Sequence, residues 1–225
     1  MICIGLDGYR KGWVAVLIDG DAHELLFLPT ISDLRKLRFD RACIDMPIGL
    51  PGAGERTCDL IARKMLRPHA SRVFTGARRG LWDHPSHAAA NRALWTRGEA
   101  GVSIELWHLG KKLCELDAVM TPRLQHKLRE AHPELVFLRL NGGAPLPSKH
   151  TEVGLRLRRK LLRAAGFRAL DRWLGKTRIG TGAKRDDILD ACAVAVAARD
   201  GHLRNVLPRG GAAKDARGLK MQIWY

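Results

Sequence analysis

The stretch ICIGLDGYRKGWVAVLI at residues 2–18 constrains the fold more than any other part of the chain. An apolar run ends at Asp7, a polar turn carrying Gly8 and Gly12 follows, and a second apolar run begins at Trp13. Two apolar runs around a glycine-bearing turn read as paired strands. Asp7 then stands at the mouth of a buried strand, where a carboxylate is unfavourable unless a metal ion, a lysine or water meets it. A third run follows the turn Asp19-Gly20-Asp21. Strands at 2–6, 13–18 and 24–28 make an antiparallel meander.

The next segment adds a second acid. Thr30, with Asp33 three residues on, forms a capping box for a short helix at 31–37. The run Arg41-Ala42-Cys43-Ile44 then ends at Asp45, and Pro47 and Pro51 prevent its continuation as a strand. A strand reached through a helix is expected to run parallel to the first. That arrangement carries Asp45 to the same sheet edge as Asp7.

Beyond it, 55–66 reads as an amphipathic helix with Leu60, Ile61, Met65 and Leu66 inward, and 67–85 has no regular pattern. Helical periods fill 86–130: a segment opened by Ser86 through Arg97, another at 104–120 weakened by Gly110, and a restart at Thr121-Pro122. Residues 68–130 are therefore expected to be a helical insertion in one domain spanning 1–225. Residues 131–140 return to strand character, with Glu134 at the start. A helix at 150–165 sets Arg156, Arg158, Arg159, Lys160 and Arg163 against four leucines, and Gly166 stops it. A basic, glycine-rich stretch at 178–185 leads into 186–198, whose small and apolar residues require burial. Residues 219–225 close the chain as a strand.

Asp186, Asp187 and Asp190 open that buried helix on nearly one face. Acids in a first helical turn are ordinary companions of the helix dipole. Here the helix has to pack on the sheet, so its acids point toward the edge that holds Asp7 and Asp45. Like charges gathered so closely repel, and a hard divalent cation such as Mg²⁺ or Mn²⁺ relieves them. Two such ions activate water and stabilise the leaving oxygen in phosphodiester cleavage.

The net charge of +16 over 225 residues suits a polyanionic partner such as nucleic acid. Arg10 and Lys11 in the first turn, Lys149 after a Gly/Pro-rich turn, and Arg156 and Arg159 on the basic helix are candidate phosphate contacts. Each also fits a merely solvated position. Trp82, Trp95, Trp107 and Trp173 suit base stacking or core packing. Gly180-Thr181-Gly182-Ala183-Lys184 lacks Walker spacing, and His84-x-x-His87 lacks partners at zinc spacing. The five scattered cysteines contain no C-x-x-C pair and read as reduced residues of a cytoplasmic protein. No apolar run approaches the ~20 residues of a membrane span, and no signal peptide opens the chain.

Several segments together resemble one family. They are IGLDGYRKGWVAV at 4–16, IDMPIGLP at 44–51, CDLIAR at 58–63, RVF at 72–74, EAHPELVF at 130–137, LNGGAPLPSKHTEVG at 140–154, DDILDACAVAVAA at 186–198 and GLKMQIWY at the end. They resemble the DUF429 family of predicted RNase H-like nucleases. The resemblance implies an α/β ribonuclease H-like core, a mixed five-stranded sheet flanked by helices, with a helical insertion. It also implies an acidic metal centre at Asp7, Asp45, Glu134 and Asp187, with Asp190 alongside. The D-x-x-D-A pattern at 187–191 is similar to the last catalytic helix of RuvC-type resolvases. The loop after Phe74 departs from the family, reading Thr75-Gly76-Ala77-Arg78-Arg79 where prolines are usual.

The resulting expectation is a metal-dependent nuclease of DNA or RNA. Asp7, Asp45 and Asp187 would ligate Mg²⁺ or Mn²⁺, and Glu134 and Asp190 would complete or orient the site. Two alternatives remain at this point: a nucleotide-dependent phosphotransferase with an actin- or sugar-kinase-like core, and a non-catalytic nucleic-acid-binding protein.

Overall fold

The computed structural model describes residues 1–176, 182–201 and 203–225. Residues 178–181 of the basic, glycine-rich stretch, including Gly180 and Thr181, therefore lie outside the described residues. In chain order the chain forms β1 (Ile2–Tyr9), β2 (Gly12–Asp19), β3 (Ala22–Leu28) and β4 (Arg41–Ile44). Helices α1 (Thr57–Met65), α2 (His87–Thr96), α3 (Ile104–His108), α4 (Gly110–Val119) and α5 (Pro122–Gln125) follow. Then come β5 (Leu128–Glu130), α6 (Pro133–Leu140), α7 (Glu152–Ala164), α8 (Leu170–Lys176), α9 (Arg185–Asp200), β6 (Val206–Leu207) and β7 (Ile223–Trp224).

The chain divides into two units, one of residues 1–46, 126–205 and 224–225, the other of residues 47–125 and 206–223. The first is an α/β unit built on a mixed five-stranded sheet in the order β3-β2-β1-β4-β5. The β1–β2–β3 meander is antiparallel, with Asp7 opposite Val14 and Leu6 opposite Ala15. β4 runs parallel to β1, with Leu6 opposite Ile44, and β5 runs parallel to β4. Between β3 and β4 the capping box forms as expected: the Thr30 amide donates to Asp33 Oδ2 at 3.0 Å, opening a 3-10 turn at Ile31–Lys36.

Helix α9 packs on β1 at backbone distance. A Cβ added to Gly5 would overlap the Ala191 carbonyl and the Ala195 amide, so only glycine fits on the strand there. The small residues of α9 make the approach possible from the other side, and residues 188–198 are all buried. Cys3, Cys43 and Cys192 lie in this core as free thiols.

Several expectations need correction. The run at 131–140 is helix α6, and the fifth strand precedes it at Leu128–Glu130. An apolar run of that length has no period that separates a strand from a fully buried helix. Pro133 at the first helical position carried the missing signal. Residues 128–130 are consequently sheet, not the end of a helical insertion. The helix expected at 104–120 breaks at Leu109 into α3 and α4, where the Gly110 position is crowded by the Trp82 ring. At the C-terminus only Ile223–Trp224 is strand, paired with β6.

In the second unit, α1 buries Leu66 and half-buries Ile61 and Met65 as expected, but it turns Leu60 outward and Asp59 inward. Leu60 is 47 % exposed, while Cys58, Asp59 and Ala62 are buried. The reason is an ion pair: Arg56 Nε and Nη2 donate to Asp59 at 2.9 and 2.5 Å, and Arg56 Nη1 donates to the Ile48 carbonyl. Asp215 is a second buried anchor of this unit. Its carboxylate accepts from the Leu50, Arg217 and Leu219 amides and from Arg79. Burial opposes ionisation there, but those donors win and hold Asp215 below the usual carboxylate range. No helix among the described residues is long and apolar enough to cross a membrane.

Candidate acidic metal centre

The site is assembled at the carboxyl end of β1 and β4. The Asp45 amide donates to the Leu6 carbonyl at 2.9 Å, so Asp45 leaves β4 beside the residue that precedes Asp7. Gly5 and Asp7 lie two apart on one strand and face the same side of the sheet. Since Gly5 packs under Ala191 and Ala195, Asp7 lies beneath the earlier turn of α9, which carries Asp187 and Asp190. Segments far apart in sequence thus bring Asp7, Asp45, Asp187 and Asp190 together.

Electrostatics record the crowding. Burial raises the Asp7 carboxyl well above its ordinary range, and the charges of Asp45, Asp190 and Asp187 push it further. Asp45 is pushed up to about 8, by burial first and then by Asp190 and Glu134. Asp187 rises to about 6, chiefly through burial, although the Lys184 amide donates to its Oδ2 at 2.6 Å. That last bond is the ordinary helix-capping role, and it takes one of the two Asp187 oxygens. Asp190 is raised by burial against the opposing pull of Lys149.

Among the described residues, Lys149 is the cation paired with these acids. Its Nζ lies 2.5 Å from Asp190 Oδ2 and 3.7 Å from Asp186 Oδ2. Burial disfavours its charge, yet Asp190, Asp186 and Asp7 together raise its pKa above the ordinary value. Among the described residues no arginine pairs with Asp7, Asp45, Asp187 or Asp190.

Glu134 takes a different position from a strand-edge ligand. It sits in the first turn of α6, and its carboxylate is held by Arg158 of α7, with Nη2 at 2.6 Å from Oε1 and 2.8 Å from Oε2 and Nε at 3.2 Å. It lies close enough to raise Asp45 and Asp190 electrostatically. The sequence pattern places Arg158 on the basic face of its helix, but it is fully buried. The missed signal is spacing: position 158 lies four residues from both Gly154 and Leu162, which are buried too.

The remaining basic candidates separate. Arg10 and Lys11 are exposed at the β1–β2 turn, and Arg156 is exposed on α7. Arg159 is occupied by Asp171 at 2.6 Å, and Arg163 pairs with the same acid. Of the tryptophans, Trp173 is buried and Trp95 is 61 % exposed. Trp82 Nε1 donates to the Trp107 carbonyl, and His87 meets the Val102 carbonyl at 2.8 Å.

The donors suit a hard divalent cation in kind. They are carboxylate oxygens, and Asp190 Oδ1 is buried without a hydrogen-bond partner. Among the described residues no three acidic, histidine or cysteine side chains are already arranged round one point. Closure on an ion would therefore require side-chain rotation.

A family model described as a protein of unknown function, DUF429, matches residues 5–209. The chain belongs to the DUF429 family. No curated protein and no solved structure matches it. The matched span of this DUF429 chain contains all five acids of the site, together with Lys149 and Arg158.

The raised acids of the DUF429 centre have a pH consequence. An acid whose folded pKa exceeds its unfolded value, about 3.9 for Asp, binds its proton more tightly when folded. Its stabilising contribution is complete at low pH and is lost as pH rises through the folded pKa. With Asp187 near 6 and Asp45 near 8, the cation-free protein is expected to lose stability from about pH 4 to pH 8. Mg²⁺ should raise the melting temperature at pH 8 and have little effect at pH 5. Differential scanning calorimetry across that range checks both; a melting temperature flat from pH 5 to 8 and insensitive to Mg²⁺ would contradict the coupling.

Proposed function

We propose that the five-stranded unit is a ribonuclease H-like core and that the protein is a metal-dependent nuclease that hydrolyses phosphodiester bonds of DNA or RNA. One observation carries the reading: four carboxylates from separate segments converge at one buried sheet edge, where burial and mutual repulsion raise their pKa values, and among the described residues a lysine and no arginine pairs with them. Such an arrangement is poor as structure, because removing like charges would favour the fold. It makes sense as a place for a cation.

In this reading Asp7, Asp45 and Asp187 hold Mg²⁺ or Mn²⁺, and Asp190 contributes its open oxygen or orients Lys149. When bound, the ion would activate a water and stabilise the leaving oxygen. Glu134 acts through Arg158 on the shape of the site. Exposed Arg10, Lys11 and Arg156 meet the nucleic-acid backbone, and the charge of +16 draws the polyanion in.

The test is incubation of the protein with labelled single- and double-stranded DNA and RNA, with Mg²⁺, Mn²⁺ or a chelator. Cleavage of at least one substrate that stops on chelation is expected. Salt-sensitive binding with no turnover in either metal would turn the assignment to a binding protein.

A further inference from the structure

The acidic centre already holds a cation of its own, Lys149, on a pinned stretch of backbone. Lys149 Nζ contacts Asp190 Oδ2 at 2.5 Å, and the lysine side chain is 31 % exposed while that of Asp190 is 5 % exposed. The backbone beneath the lysine is pinned. Arg158 Nη1 donates to the Pro147 carbonyl at 2.9 Å. The Thr151 amide and hydroxyl donate to the Ser148 carbonyl at 3.0 and 2.8 Å. Gly154 approaches so closely that a Cβ there would overlap the same Ser148 carbonyl. A lysine stem rotates freely about its four carbons. The ammonium can thus leave Asp190 while its backbone stays in place.

Asp190 itself is half engaged. Its Oδ2 is held by the lysine, and its buried Oδ1 has no partner. An ammonium and a doubly charged ion crowded on one carboxylate in a partly buried pocket repel each other strongly.

We propose that Lys149 is the resident counter-cation of the acidic centre, and that a divalent cation engages Asp190 by displacing the lysine ammonium, an inference that rests on the metal-centre reading above. The displaced side chain stays tethered at the rim of the centre. There it presents a point charge to a phosphodiester oxyanion. The network Glu134–Arg158–Pro147 carbonyl is the device that keeps the lysine within reach in both positions.

The experiment is acylation of the intact wild-type protein by the N-hydroxysuccinimide ester of acetic acid, with and without Mg²⁺, mapped by peptide mass spectrometry. Mg²⁺ binding is measured on the same sample by calorimetry. Mg²⁺ is expected to raise the Lys149 modification rate by about tenfold, while exposed Lys111 is unchanged. Mg²⁺ binding with no change at Lys149 overturns the displacement but leaves the metal centre standing. Absence of Mg²⁺ binding overturns both. Lys149→Met is expected to bind Mg²⁺ about tenfold more tightly under alkaline conditions that ionise the acids. Equal or weaker binding by the folded variant counts against the inference. Should the variant not fold, the wild-type modification rates decide alone.

Discussion

Asp7→Asn is expected to abolish divalent-cation-dependent cleavage, by about a thousandfold or more, and at the same time to make the cation-free protein more stable. The first half follows from the proposed role of Asp7 as a ligand to the ion: it lies near the carboxyl end of β1, beneath the acids of α9. Loss of an electrostatic interaction worth several kcal/mol in a transition state corresponds to about three orders of magnitude in rate. The second half follows from the crowding. Asparagine has nearly the same shape and no charge, so it removes repulsion from Asp45, Asp190 and Asp187 at a buried position. The melting temperature without cation should rise by a few degrees, and Mg²⁺ should no longer raise it. An acid retained for structure behaves oppositely, losing stability when neutralised. Undiminished cleavage, or a melting temperature that drops, would remove Asp7 from the centre.

Glu134→Gln is expected to destabilise the fold by about 3 kcal/mol or more, as read from urea unfolding. The substitution leaves the fully buried Arg158 guanidinium without a counter-charge. Partial compensation remains, because Arg158 also donates to the Pro147 and Gly154 carbonyls and lies over the Phe137 ring at 5.3 Å. Adding Arg158→Met to Glu134→Gln should recover much of the loss, since a buried ion pair is often replaceable by packed apolar groups. The double variant also separates two roles. If Glu134 works by holding Arg158, Mg²⁺ binding survives in the folded double variant. If Glu134 is itself a ligand, binding falls even when the fold is restored.

The meander, the parallel return of β4 and the buried helix α9 were all legible from residues because each leaves a local signature. Glycine turns separate the strands, prolines stop the run after Asp45, and α9 is so uniformly small and apolar that it has only one place to go. The candidate acids were legible for the same reason, each standing where an apolar run begins or ends. Glu134 was identified as a site residue, but its run was read as a strand. A fully buried helix and a buried strand present the same unbroken hydrophobicity, and only Pro133 argued otherwise. Asp59 went unnoticed because a polar residue on a short helix looks like its exposed face until Arg56 is seen beside it.

Chain chemistry alone therefore determined which acids stand at the ends of apolar runs or open α9, and that the molecule carries a large positive charge. Only the tertiary structure decided how those groups are partnered. Arg158 was taken by Glu134, Arg159 by Asp171, and Lys149 by Asp190. The physical reason is range. Hydrophobic period and turn chemistry act over a few neighbouring residues, whereas an ion pair depends on where two distant side chains end up once the core has closed.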